Sequence, residues 1–229
     1  MSSASNINPQ TLTELLASRV AVGGVALIDR DRLVTAAALD EESRRVAQGL
    51  HDLGVREGDR VAVWLPNVPA WPACFFAAAR LGAILVAVNT RFRSNEIADI
   101  VGRSGAKLLV YWPGFRNIDF EGILAEVDPA ALAGVTAFIE YDEDAAAVPP
   151  ASFLGRPVHR YALLARSARC EADHGCADAG CVIFTTSGTT KAPKFVLHSQ
   201  RTLLVHARDV ATGFALDRPD SVLLLAVPF

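Results

Sequence analysis

The sequence predicts an α/β fold, a layered and mainly parallel sheet flanked by helices. Three observations point there. Short, almost wholly apolar runs recur at 61–65, 83–88 and 108–111, and uninterrupted apolar strands suit burial on both faces. Between these runs lie segments with helical spacing of apolar residues. Gly54, Gly82 and Gly105 fall where those helices should stop.

In chain order, Asp40 is placed to cap a helix whose first turn carries Glu41 and Glu42, favourable at the positive end of the helix dipole. Leu39, Val46, Leu50 and Leu53 share one face of it, and Gly54 ends it. A Gly58-Asp59 turn leads into a strand over 60–65. Pro69 or Pro72 fits the first turn of a helix over 70–81, with Gly82 as the stop. Residues 83–88 form a second buried strand. Ser94 is placed to cap a helix carrying Ile97, Ile100 and Val101, closed by Gly105. A third strand covers 107–111. A helix through Phe120, Ile123, Leu124 and Val127 precedes a fourth strand over 136–141. Residues 142–150 read as a surface loop, and 150–178 as the least regular stretch. A strand over 181–184 enters a loop dense in hydroxyls, a further apolar segment covers 195–197, and Ser199 caps a helix reaching Gly213.

Composition bounds the function. With 229 residues, 51% of them hydrophobic, the chain can bury a substantial core. A net charge of −3 shows no basic excess for nucleic acid. The longest uncharged run, Val61 to Ala79, has the length of a membrane span, but Pro66, Pro69 and Pro72 would break an unsupported spanning helix. The first residues lack the basic start and apolar core of a signal peptide. The four cysteines form no regular framework, so a reducing cytoplasm is expected.

The chemically informative stretch is Val182-Ile183-Phe184-Thr185-Thr186-Ser187-Gly188-Thr189-Thr190-Lys191-Ala192-Pro193-Lys194. Hydroxyls and backbone N–H groups at a strand end donate to phosphate oxygens, a glycine permits close backbone approach, and lysines supply point charge. The Walker phosphate loop is a different pattern, a glycine, four intervening residues and then Gly-Lys-Ser/Thr. On composition alone a polar surface turn is the stronger reading.

Beyond composition, the loop resembles the phosphate-binding signature of the AMP-forming adenylate enzymes: acyl-CoA synthetases, peptide-synthetase adenylation domains and luciferases. Their usual form is Thr-Ser-Gly-Thr-Thr-Gly-x-Pro-Lys-Gly. Positions 186–190, 193 and 194 match, while Lys191 and Phe195 each replace a glycine. Gly54-Val55-Arg56-Glu57-Gly58-Asp59-Arg60-Val61-Ala62, Leu65-Pro66-Asn67, Arg80-Leu81-Gly82-Ala83, Val88-Asn89 and Ser104-Gly105-Ala106-Lys107 are similar to family segments in the same order. The resemblance spans roughly residues 30–229.

The resemblance implies ATP-dependent activation of a carboxylic acid. The carboxylate attacks the α-phosphorus, pyrophosphate leaves, and a thiol, most often that of CoA, takes the acyl group from the adenylate. It implies that Thr186, Ser187, Gly188, Thr189, Thr190 and Lys194 hold the ATP phosphates, with Thr189 also approaching Mg²⁺. Lys191 is expected either to add a phosphate contact of its own or to face solvent; the ATP KM of Lys191→Ala separates these. Where the family often has a His six residues beyond the lysine, this chain has Gln200, and His198 is assigned no catalytic role. No catalytic residue is assigned within the chain.

Other groupings read as structure. Cys170, His174, Cys176 and Cys181 have no common zinc spacing. Asp142-Glu143-Asp144 reads as solvated loop charge, and Trp64, Trp71, Phe75 and Phe76 as core.

By resemblance, the chain divides into lead-in helices (1–58), a first α/β sheet (59–165), and the phosphate loop with the start of a second sheet (180–229). The family's later motifs and its C-terminal domain have no counterpart after Leu223-Leu224-Leu225-Ala226-Val227-Pro228-Phe229. The expectation is therefore the front part of an acid–CoA ligase, inactive by itself. The alternative is a short non-catalytic phosphate-binding or interaction fragment. Apolar surface left uncovered would drive self-association of the isolated chain, which light scattering reads directly.

Overall fold

The computed structural model describes residues 9–143, 150–186, 193–216, 218 and 221–225. Helix α1 (Leu12–Val22) is followed by a hairpin, β1 (Val25–Asp29) and β2 (Arg32–Thr35), and by α2 (Ala36–Asp52). Strands β3 (Arg60–Trp64), β4 (Ile84–Ala87), β5 (Leu108–Tyr111) and β6 (Ala137–Glu140) then alternate with α3 (Ala70–Arg80), α4 (Ser94–Ser104) and α5 (Phe120–Ala125). The last part holds β7 (Ser152–Phe153), β8 (Arg156–Arg160), α6 (Tyr161–Leu164), β9 (Gly180–Thr186), β10 (Lys194–Ser199) and α7 (Gln200–Gly213).

An eight-stranded sheet runs in the order β10-β9-β4-β3-β5-β6-β8-β7. Strands β9, β4, β3, β5, β6 and β8 are parallel, and β10 and β7 close the two edges antiparallel. The mainly parallel α/β sheet expected from the sequence is therefore the observed fold.

Both faces of the sheet are covered, which explains the unbroken apolar runs. Val61, Val63, Leu85, Leu108, Val110 and Val182 face one core with Val46 and Leu50 of α2 and Cys74 and Ala77 of α3. The alternate residues Ala62, Trp64, Val86, Leu109, Tyr111 and Ile183 face the other, with Ile97, Ile100 and Val101 of α4 and Phe120 and Leu124 of α5. Trp64 and Phe120 meet edge to face at 4.4 Å.

Several local expectations are corrected. Helix α2 starts one turn earlier than Asp40: its cap is Thr35, whose hydroxyl accepts from Ala38 N at 3.1 Å. Asp40 instead accepts from Arg44 and Arg80. Ser94 is the first helical residue of α4 rather than its cap, and Arg93 N donates to Glu96 at 3.0 Å there. The stretch expected to be least regular, 150–178, holds the short β7, β8 and α6 and no helix or strand after Leu164. Strands β9 and β10 extend the sheet of residues 60–160 rather than opening a second one, and the lead-in contains a hairpin besides helices. Ser199 caps α7 as expected, accepting from Thr202 N at 3.2 Å.

Among the described residues, no helix is long and apolar enough to cross a membrane. Val205 of α7, Phe214 just beyond that helix, Leu197 of β10 and Val222 to Leu225 are exposed.

Candidate functional site

The family-like segments sort onto two opposite edges of the sheet. At the amino edge they knit strand starts together. Lys107 Nζ donates to Gly54 O at 2.5 Å and to Asp59 at 3.0 Å. Arg60 donates to Ser104 O at 2.7 Å and to Gly105 O at 3.0 Å. Gly58 N donates to Gly82 O at 2.9 Å. Gly82 and Gly105 have φ of 66° and 60°, where a side chain is strained, and a Cβ on Gly105 would lie 2.9 Å from Arg60. Burial pushes the Asp59 carboxyl up, but the Lys107 and Arg56 N–H hydrogen bonds and the Lys107 and Arg60 charges outweigh it and hold it below its ordinary value.

Arg80 is 2% exposed and joins α3 to two other segments, at 3.1 Å from Asp40 and 3.4 Å from Asp173. Its carbonyl accepts from His174 N at 2.7 Å. Burial, and then the Arg44 charge, pull the Arg80 guanidinium below its ordinary value. These contacts make the Arg80-Leu81-Gly82 segment a structural joint.

At the carboxyl edge the parallel strands end together, which is where open α/β sheets bind ligands. Strand β9 leaves the sheet there at Thr186, and β10 returns at Lys194. The register pairs Thr186 directly with Lys194, and Thr185 with Phe195. Directly opposed residues project from one face with Cβ atoms about 5 Å apart. Thr186 and Lys194 are both exposed, so a hydroxyl-bearing and an ammonium-bearing side chain rise from one face at the base of the loop. That donor set fits a phosphate: a cation and a hydroxyl at a strand end, with no carboxylate between the two positions. Ser187, Gly188, Thr189, Thr190 and Lys191 lie outside the described residues.

Of the two residues where the loop departs from the family pattern, Phe195 is the one among the described residues. Phe195 is half-buried against the α4–α5 core. The Arg103 guanidinium lies over its ring at 4.2 Å, and Arg103 Nη2 donates to Pro193 O at 2.7 Å. Sequence reasoning did not find Arg103, because nothing in α4 signals a partner some ninety residues later.

The residues assigned no chemistry have structural partners. Gln200 is buried, and its Oε1 accepts from Leu12 N at 2.7 Å, tying α7 to α1. His198 stacks edge to face with Phe184 at 5.7 Å. Cys181 is buried in β9, donating to His198 O at 3.4 Å, and burial pushes its thiol up to about 12. Cys74 lies in the core, and burial raises its thiol further still.

Known proteins resemble the chain in family profile, in sequence and in structure. The sequence profile described as AMP-binding enzyme matches residues 17–229. A long-chain-fatty-acid–CoA ligase of Mycobacterium tuberculosis (FadD13) is 31% identical over 199 residues, covering 85% of this chain and 35% of that protein. A crotonobetaine/carnitine–CoA ligase of Salmonella paratyphi A is 33% identical over 197 residues, covering 84% of this chain and 35% of that protein. Among solved structures, the N-terminal domain of FACL13 from Mycobacterium tuberculosis superposes with a TM-score of 0.72 at 28% identity, covering 95% of this chain and 51% of that one. The anthranilate CoA ligase AuaEII with anthranoyl-AMP has the same fold, with a TM-score of 0.74 at 22% identity over 91% of this chain and 38% of that one. The chain thus spans about a third of the length of these two curated relatives.

Proposed function

The chain belongs to the AMP-binding enzyme family, and from that premise we propose that the protein carrying it activates a carboxylic acid with ATP and passes the acyl group to CoA. Relatives named as CoA ligases support the acceptor. The observation that carries the reading is the hairpin base at the carboxyl edge, where Thr186 and Lys194 face each other across the family's phosphate signature.

In this reading Lys194 and Thr186 bind the β- and γ-phosphates, together with Ser187, Gly188, Thr189, Thr190 and Lys191 of the same loop. The carboxylate oxygen attacks the α-phosphorus and the pyrophosphate oxygen departs with its electron pair. Holding the leaving phosphates in line and neutralising their charge is the loop's contribution. Mg²⁺ accompanies the nucleotide, with Thr189 as the proposed protein contact. The thiol of CoA then attacks the acyl carbon and AMP leaves. The proposed compartment is the cytoplasm, on the cysteine usage. The division into lead-in, sheet and phosphate-loop segments is likewise proposed, with the sheet extended to residue 199.

Acid-dependent exchange of labelled pyrophosphate into ATP, measured on the full-length protein with a panel of carboxylic acids, tests this. Exchange is expected with at least one acid. Lys194→Ala should lower it about 10²-fold or more, the scale of losing one charge-stabilising donor in a phosphoryl transfer site. Exchange with no acid, or full activity in Lys194→Ala, overturns the reading.

A further inference from the structure

Strand β10 is a sheet edge: its ladder runs to β9 on one side, and among the described residues no strand pairs with the other. Its first residues are therefore held by one ladder and by contacts from the faces. One side chain supplies these at the position that matters for the site. Arg103, in the last turn of α4, makes three contacts with its guanidinium. Nε pairs with Asp99 Oδ1 at 2.9 Å one helical turn back, Nη2 donates to Pro193 O at 2.7 Å, and the plane covers the Phe195 ring at 4.2 Å. Pro193 and Phe195 flank Lys194 on both sides.

The geometry points to Arg103 as a positioning residue for Lys194: it fixes the backbone on either side of the lysine, so that the ammonium is presented at the carboxyl edge, opposite Thr186. The inference rests on the proposed phosphate-binding role of that hairpin. The alternation of β10 is what makes the arrangement work. Lys194 projects from one face with Thr186, and Phe195 projects from the other toward α4, where Arg103 waits. A guanidinium suits the task because its planar fork can pair with a carboxylate, donate to a carbonyl and stack on a ring at once. Asp99 sets its direction, with Oδ1 engaged and Oδ2 buried without a hydrogen-bond partner among the described residues.

This also accounts for one departure from the family signature. Where the usual pattern has glycine after the lysine, Phe195 here gives the guanidinium a surface to lie on. A glycine would leave Arg103 only the Pro193 carbonyl to grip.

The test uses the full-length protein and four measurements: ATP KM, acid KM, kcat, and equilibrium titration of ATP and Mg²⁺ followed by tryptophan fluorescence. Arg103→Ala should raise the ATP KM and weaken ATP binding about fivefold to tenfold, the scale of one lost charge-assisted hydrogen bond with its ring contact. The acid KM should stay within about twofold. Arg103→Lys should fall between the two, since an ammonium keeps the charge but not the fork. If Arg103→Ala fails to fold, Phe195→Gly carries the test: it keeps the Arg103–Pro193 hydrogen bond and should give a smaller loss, again specific to ATP. The double variant should be less than additive, because both changes remove one contact.

ATP and acid KM rising together, or ATP binding unchanged in folded Arg103→Ala and Phe195→Gly, overturns the inference. The two levels of the reading separate cleanly. Wild-type exchange with Arg103→Ala matching it overturns the positioning role and leaves the activity standing. Wild-type ATP binding that weakens in Arg103→Ala without any acid-dependent exchange does the reverse. Absence of both ATP binding and exchange overturns both.

Discussion

The Tyr111 phenol lies between two carboxylates at the carboxyl edge of the sheet. Tyr111 Oη lies 3.0 Å from Glu140 Oε1 and 3.3 Å from Glu121 Oε1. A phenol has a single hydrogen to donate, so the second carboxylate must approach without a donated bond from it. Burial pushes the Glu140 carboxyl above its ordinary value. The Tyr111 hydrogen bond opposes this, and the Glu121 and Asp142 charges add to it. A carboxyl raised in the folded state holds its proton where the unfolded chain has released it. Its contribution favours folding below the unfolded value, near pH 4.3, and is lost as pH rises through the folded value. Glu140→Gln keeps an acceptor for Tyr111 and removes the charge. It is expected to raise the urea midpoint at pH 7 and to flatten the decline of stability above about pH 4.3. An unchanged slope in that window contradicts the assignment. At this scale the sequence is legible where a family pattern repeats, as in the loop that Thr186 and Lys194 flank, two residues the structure pairs across β9 and β10. It is illegible where a role is created by long-range contact, as at Arg103, Glu140 and Arg80. Arg80 reads as an ordinary helix-end cation, yet two carboxylates from distant segments surround it.

Elements with a strong internal period were legible, and those defined by a partner were not. Helix α4 declares itself by Ile97, Ile100, Val101 and Gly105, all where expected. Helix α6 has four residues, too few for a period, and gains its place from α2. Tyr161 Oη donates to Glu42 of α2 at 2.7 Å, and Leu164 packs over Gly49. A Cβ on Gly49 would lie 2.6 Å from Leu164 Cγ and 2.9 Å from its Cα. The last contact is backbone, so a change of rotamer does not relieve it. Gly49→Ala would ordinarily favour a helix by up to about 1 kcal/mol. Here overpacking, typically about 1–3 kcal/mol, should win. The expected result is a lower melting temperature, by roughly 2–4 °C for each kcal/mol in a chain of this length. A melting temperature at or above the wild-type value contradicts the close packing of α2 on α6.

Over the whole molecule, structure and chemistry separate by edge. The amino edge is a set of mutual hydrogen bonds through Gly58, Asp59, Gly82, Gly105 and Lys107. These bonds give the family-like segments there a structural part. The carboxyl edge carries the β9–β10 hairpin, whose base is a Thr–Lys pair held from behind by α4. The parallel order β9-β4-β3-β5 was not readable from the sequence, because each strand is apolar on both faces and specifies burial rather than neighbours. The central claim is that the protein built on this sheet activates its acid by attack on the α-phosphorus of ATP. The most direct measurement uses the acid substrate labelled with ¹⁸O in its carboxylate, turned over with ATP and CoA by the full-length protein. If the carboxylate oxygen attacks phosphorus and the thiol then displaces AMP, each AMP carries one ¹⁸O from the acid. Unlabelled AMP, or label appearing in inorganic phosphate beside ADP, would contradict it.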